Sequence, residues 1–213
     1  MRTGIITAMD SEYGEFVSLI PEAKKRGKDI VLHKCGIGKV NAAAETFDFI
    51  QTYRPDIIIS TGVAGGCSDL LEIADVVCAE KVVYHDVWCG RPNALGQIQG
   101  MPEYFVGDRE AIDKIKHVGL EDVKFGTTLT GDWFVDTVEK MREIKNNFPD
   151  ATAVDMESAA IAQVCYKMSV PFVSLRVISD IPLKGNNHVQ YENFWKFLTD
   201  KSFSVAKKII LSL

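Results

Sequence analysis

The chain has no long hydrophobic run, no paired cysteines and no extended basic stretch, and each absence removes a class of protein. Its apolar runs, Ile57-Ile58-Ile59 among them, are the length of a strand, whereas a membrane-spanning helix needs about 20 apolar residues. The five cysteines (Cys35, Cys67, Cys78, Cys89 and Cys165) form no CxxC pair, and the four histidines are scattered, so zinc-type spacing is missing. An odd count reads as reduced thiols, some of them small hydrophobes inside apolar stretches. Neither a metal nor an organic cofactor is expected. Lys24-Lys25-Arg26 is the one basic run, and it sits beside Glu22, Gly27 and Asp29. A solvated turn explains it better than a nucleic-acid patch, and the formal charge of -5 argues against a polyanion partner. The first residues, Met1 to Ile6, lack a signal-peptide core and cleavage site, so a cytoplasmic location away from membranes is the expectation.

What is present fits one compact domain over residues 1–213: 46% of the residues are hydrophobic and 25% charged, as in ordinary globular proteins. Short apolar runs at Gly4–Met9, Ile30–His33, Asp56–Thr61, Ala74–Tyr84, Val123–Leu129, Ala151–Val154 and Pro171–Ile178 read as strands. Helical patterning spans Glu12–Leu19 behind Asp10 and Ser11 as caps and closed by Pro21, then Val40–Tyr53, Asp108–Val118, Phe134–Asn147, Ser158–Met168 and Tyr191–Leu211. Gly62 to Gly66 reads as a glycine loop after the third strand, and Trp88–Pro102 as a long loop. Strands alternating with long helices imply an α/β three-layer sandwich around a central mixed, mainly parallel sheet.

Ligands of open parallel sheets bind beyond the carboxyl ends of the strands. Those ends carry Met9 to Glu12, the glycine segment 62–66, Asp155-Met156-Glu157 and Ser179-Asp180, so Glu12, Glu157 and Asp180 can converge on one cleft. Such a cluster suits acid and base work on a polar small molecule. Each residue alone has a plainer explanation. Glu12 and Glu157 can favour a helix dipole, Asp180 can be a turn residue, and a glycine segment by itself is a weak phosphate signal. On a helix Asp155 and Glu157 would diverge, so only one of them should face the site.

In sequence order the motifs Gly4-Ile5-Ile6-Thr7-Ala8-Met9 with Glu12, Gly36-Ile37-Gly38-Lys39-Val40-Asn41-Ala42-Ala43 and Ser60-Thr61-Gly62-Val63-Ala64-Gly65-Gly66 resemble one family. Tyr84-His85-Asp86, Thr130-Gly131-Asp132-Trp133-Phe134, Val154-Asp155-Met156-Glu157-Ser158 and Arg176-Val177-Ile178-Ser179-Asp180 extend the match over nearly the whole chain. The family is the 5′-methylthioadenosine/S-adenosylhomocysteine nucleosidases, of nucleoside phosphorylase-like fold. The resemblance implies that Glu12 activates a water and that Asp180 protonates adenine at N7. Glu157, with the Met156 backbone, would bind the ribose hydroxyls, and Arg176 would hold the water and the carboxylates. Phe134 and Val135 would stack on and bond the base, while Met9, Ile37, Val63, Gly65 and Ser179 complete the substrate-binding set. It also implies a homodimer acting on a small adenine nucleoside without a cofactor. The chain departs from the family pattern in a shorter Ile20–Ile30 stretch and at Trp88–Asn93, near the expected 5′-substituent pocket. A phosphorolytic nucleoside phosphorylase, a futalosine-type hydrolase and a non-catalytic nucleoside-binding module stay open beside the nucleosidase. Two carboxylates and no arginine after the first strand disfavour a phosphate nucleophile.

Overall fold

The structure, a computed structural model, describes residues 1–197 and 203–213. In chain order its strands are β1 (Arg2–Thr7), β2 (Asp29–Lys34), β3 (Ile57–Gly66), β4 (Val76–Tyr84), β5 (Phe105–Val106), β6 (Val123–Thr130), β7 (Ala151–Asp155) and β8 (Phe172–Asp180). The helices are α1 (Asp10–Val17), α2 (Leu19–Lys25), α3 (Lys39–Tyr53), α4 (Arg109–Val118), α5 (Val138–Asn147), α6 (Ser158–Met168), α7 (Asn187–Lys196) and α8 (Ser204–Ser212). The strands form one mixed, mainly parallel sheet. β1 lies between β2 and β3, parallel to both.

Beyond β3 the sheet closes on itself. β3 runs parallel to β8, β8 antiparallel to β4, β4 parallel to β6 and β6 parallel to β7. The circuit is completed where Gly65 and Gly66 of β3 pair antiparallel with Val154 and Ala153 of β7. β8 is buried at every position, which explains its continuous rather than alternating apolar pattern. On one face α1, α2, α4, α7 and α8 pack Phe16, Leu19, Ile112, Phe194 and Ile209 against Ile5, Ile59 and Leu175. On the other face α3 and α6 pack Phe49, Ile50, Ile161 and Cys165 against Ile6 and Ile58. Each such side chain contributes about 1.5–3 kcal/mol when fully buried, so these two cores hold the sheet between helical layers. Cys35, Cys67, Cys78 and Cys165 are buried and Cys89 is exposed, all with free thiols. Among the described residues no helix is long and apolar enough to cross a membrane.

Several sequence expectations change. Gly62 to Gly66 is not a loop but the end of β3, where extended glycines let the strand carry on to pair with β7. Pro21 does not close a helix; it sits in the first turn of α2, where its missing N–H is tolerated. The helix expected from Phe134 starts at Val138, because Thr137 caps it by accepting from the Lys140 N–H at 3.2 Å. Phe134 to Asp136 therefore stay irregular. The long C-terminal helix is two helices, α7 and α8, and the part of that expectation covering 198–202 lies outside the described residues.

Candidate active site

The closure of the sheet decides where the chemistry sits. Gly65 is in register with Asp180 of β8 on one side and with Val154 of β7 on the other, so the ends of three strands meet. With the start of α1 they open onto a cavity of about 620 Å³, open mouth included. Glu12, Glu157 and Asp180 all line it, together with Met9, Ile37, Val63, Gly65, Phe134, Val135, Met156 and Ser179.

Arg176 does not line the cavity. It lies fully buried behind it, with Nε 2.8 Å from Asp155 Oδ2 and its N–H groups donating to Ser158 Oγ and Ser60 Oγ at 2.8–3.1 Å. A buried charge left unpaired costs several kcal/mol, and Asp155 offsets that cost. Asp155 Oδ1 accepts from the Thr130 hydroxyl at 2.6 Å and from the N–H groups of Glu157 and Ser158. Asp155 thus borders the cavity while its carboxylate serves the wall, and Glu157, turned out at the start of α6, is the partner that faces in. The two are not on one helix, as the strand ends at Asp155.

Glu12 is buried at the first turn of α1. The expected caps Asp10 and Ser11 are inside the helix, and Met9 is the capping position. Glu12 Oε2 accepts from the N–H groups of Ala8 (2.8 Å) and Met9 (3.1 Å), and Oε1 from that of Val63 (2.8 Å). A Cβ at Gly62 (φ 150°) would overlap this carboxylate and crowd Arg176 Nη1, so the strand can pass there only as glycine. Burial pushes the Glu12 carboxyl above its usual range, against the pull of Arg176 and the three N–H groups.

Asp180 is raised by burial as well, opposed by the Ser179 hydroxyl and the Asn187 amide. Ser179 Oγ lies 2.7 Å from Asp180 Oδ1 and 3.3 Å from the Ala64 carbonyl oxygen. Its single hydrogen serves one acceptor at a time. When Asp180 carries a proton, the serine can turn to Ala64 and accept from the acid. Asn187 Nδ2 donates to the Val135 carbonyl at 3.0 Å, which joins the acid to the irregular segment before α5.

Glu157 Oε1 accepts from the Gly38 N–H at 3.0 Å. Burial pushes its pKa up to about 7, with Arg176 opposing and Asp155 adding to the rise. The folded protein therefore binds a proton here that the unfolded chain releases between about pH 4.5 and 7. This stabilisation is fully present below pH 4.5 and is lost as pH rises through 7. Melting temperature is expected to fall between pH 5 and pH 8, and Glu157→Gln to remove part of that fall. Parallel pH profiles for the two proteins would disprove the assignment.

The sequence does not single out Trp133 or Asn187 for the site, whereas Tyr191 opens the Tyr191–Trp195 stretch that falls where the resembled family has an aromatic helix start near the pocket, with core packing as the other reading. Trp133 and Tyr191 line the mouth, with Tyr191 edge-on to Phe134 at 5.4 Å and its hydroxyl 3.7 Å from Met9 Sδ. Which way an aromatic side chain points is not given by sequence, and the fold turns both toward the cavity. Asn187 is buried in the first turn of α7, and no spacing marks it. Among the described residues no group of three or more His, Cys, Asp or Glu is placed to hold a metal ion.

A family model described as the phosphorylase superfamily matches residues 2–211. The chain is 38% identical over 231 residues to the 5′-methylthioadenosine/S-adenosylhomocysteine nucleosidase of Lysinibacillus sphaericus, covering 100% of both proteins. To the enzyme of the same name from Haemophilus influenzae it is 34% identical over 227 residues, covering 99% of each. Among solved structures, the Neisseria meningitidis nucleosidase in complex with methylthio-immucillin-A superimposes with a TM-score of 0.86 at 31% identity, over 100% of this chain and 99% of that one. The Colwellia psychrerythraea nucleosidase in complex with adenine gives 0.87 at 30% identity, over 100% and 96%.

Proposed function

The chain belongs to the phosphorylase superfamily and, within it, to the 5′-methylthioadenosine/S-adenosylhomocysteine nucleosidases, and from that premise we propose that it hydrolyses the N-glycosidic bond of both nucleosides with Glu12 and Asp180 as the catalytic pair. The observation that carries the reading is a single cavity lined by Glu12, Glu157 and Asp180 and by no lysine or arginine among the described residues.

Water attacks C1′ as the C1′–N9 bond breaks. Glu12 takes the water's proton, the bonding electron pair passes into the purine, and Asp180 gives its proton to N7. Positive charge grows on the ribose in between, and the carboxylates beside it stabilise that charge. Raised pKa values suit both roles: Asp180 keeps its proton to higher pH than an exposed aspartate, and Glu12 is a stronger base than an exposed glutamate. Glu157 and the Met156 backbone bind the ribose hydroxyls, and Phe134 stacks on the base. Among the described residues the Val135 N–H has no protein partner, which leaves it to bond adenine. Arg176 acts from behind the wall, holding Asp155 and keeping positive charge near Glu12 and Glu157.

A phosphate nucleophile would need cations to offset its charge beside two carboxylates, and the cavity lining supplies none. Adenine release from methylthioadenosine is therefore expected at the same rate with and without phosphate, followed by chromatography of the base. A strict phosphate requirement would replace the hydrolase with a phosphorylase.

The reading extends to a homodimer in the cytoplasm. α3 leaves Val40 and Phe47 exposed, and an apolar groove lined by Val40, Ala43, Val87, Ile98, Ala160 and Val164 lies between α3 and α6. Its Lys39 and Val40 follow shortly after Ile37 of the cavity lining in the chain, and a second copy would cover this groove.

A further inference from the structure

Two sides of the cavity, carried by Glu157 and by the segment after Asp132, are joined through one helix start. The N-terminal turn of α3 presents two successive backbone N–H groups. That of Gly38 donates to Glu157 Oε1 at 3.0 Å, and that of Lys39 donates to Asp132 Oδ1 at 2.8 Å. Glu157 is the carboxylate on the sugar side, and Asp132 immediately precedes Trp133, Phe134 and Val135 on the base side.

Asp132 is held at its backbone too. Its N–H donates to Asp86 Oδ2 at 2.9 Å, and Lys39 Nζ donates to the same oxygen at 2.6 Å. Lys39 Nζ also stands 3.8 Å from Asp132 Oδ2. Gly38 has φ 91°, and a Cβ there would come within 3.0 Å of Asp132 Oδ1. The glycine thus lets the aspartate close onto the helix. One lysine and the positive end of α3 balance the carboxylates gathered there. Asp132 itself does not line the cavity, and the catalytic scheme leaves it unused.

We propose that Asp132 is a positioning residue for the cleavage, fixing the base-binding segment 133–135 in register with the sugar-binding Glu157 through adjacent N–H groups of α3. This rests on the functional reading above. It makes the acceptor oxygen the essential feature, since the Lys39 N–H needs a partner while the lysine side chain already has Asp86. Asparagine keeps that acceptor; leucine keeps the shape and removes it; alanine removes both.

The test compares wild type with Asp132→Asn, Asp132→Leu and Asp132→Ala, measuring kcat and KM for adenine release from methylthioadenosine and the melting temperature of each. The leucine and alanine variants are expected to lose about 10–100-fold in kcat/KM, the scale of a misplacement near 1 Å, with KM raised. The asparagine variant is expected to stay close to wild type. Loss of folded enzyme alone would lower apparent kcat and leave KM unchanged, so the KM change separates positioning from stability. Should alanine fail to fold, leucine against asparagine gives the same comparison. Wild-type KM in a folded leucine or alanine variant, or an equal loss in asparagine, overturns the proposal alone. A wild-type enzyme that releases no adenine without phosphate overturns the functional reading and this inference with it.

Discussion

Asp180→Asn leaves a folded protein whose adenine release falls by about 10²–10⁴-fold, the share that general acid assistance typically contributes. Asparagine matches the shape of the aspartate, and its carbonyl oxygen can still accept from the Ser179 hydroxyl now 2.7 Å away. The longer contact from Asn187, 3.5 Å, is too weak for its loss to unfold α7. What disappears is the proton for N7. A riboside whose leaving group departs without protonation, such as a nitrophenyl riboside, should close most of the gap between variant and wild type. The wild-type pH profile follows from the same shift: activity falls at high pH as Asp180 loses its proton, at a pH above the ordinary aspartate range because burial raises the group. Full turnover by Asp180→Asn on methylthioadenosine would take the acid role away from this residue.

The order of elements was legible because strand-length apolar runs alternated with helical periods, and the carboxyl-end rule then gathered Glu12, Glu157 and Asp180 correctly on one cavity. The closure of the sheet was not legible. It depends on Gly65 and Gly66 staying extended to pair with Val154 and Ala153, whereas glycines in a row read locally as a loop. Phe134 fits a helical period with the residues after it, yet Thr137 captures the helix start by a side-chain bond that periodicity does not register. The burial of Arg176 escaped for a related reason. A charged residue in a strand reads as a candidate for the surface or the ligand, and only the tertiary fold brings Asp155, Ser60 and Ser158 around it. Asp10 and Ser11 have the composition of caps, but the carboxylate of Glu12 reaches back to the N–H groups first. Residue types were enough to propose carboxylates for acid and base work, and long-range pairing was needed to say which side chains touch the cavity.

Glu12→Gln is the second large effect, and it is expected to act on chemistry and stability together. As a base, glutamine is inert, so turnover should fall by about 10²–10⁴-fold, and the decline of activity toward low pH should lose the limb that Glu12 protonation gives the wild type. As a structural group, glutamine has one acceptor oxygen where three N–H groups now converge on two. Its amide nitrogen must face either Val63 or the Ala8–Met9 pair, donor against donor. A buried donor left unsatisfied costs about 1–3 kcal/mol, or a few degrees of melting temperature in a chain of this size. Removing a buried carboxylate would relieve desolvation and push the other way. That relief already exceeds the lost pull of Arg176, since the Glu12 carboxyl is raised despite it, so the melting temperature moves by the difference between the relief and the unsatisfied donor. The base side of the cavity is untouched, and inhibition by adenine should stay near the wild-type value. Retained turnover with a shifted melting point would make Glu12 a structural carboxylate only, and the water would then need another base on the sugar side, where Glu157 is the remaining candidate.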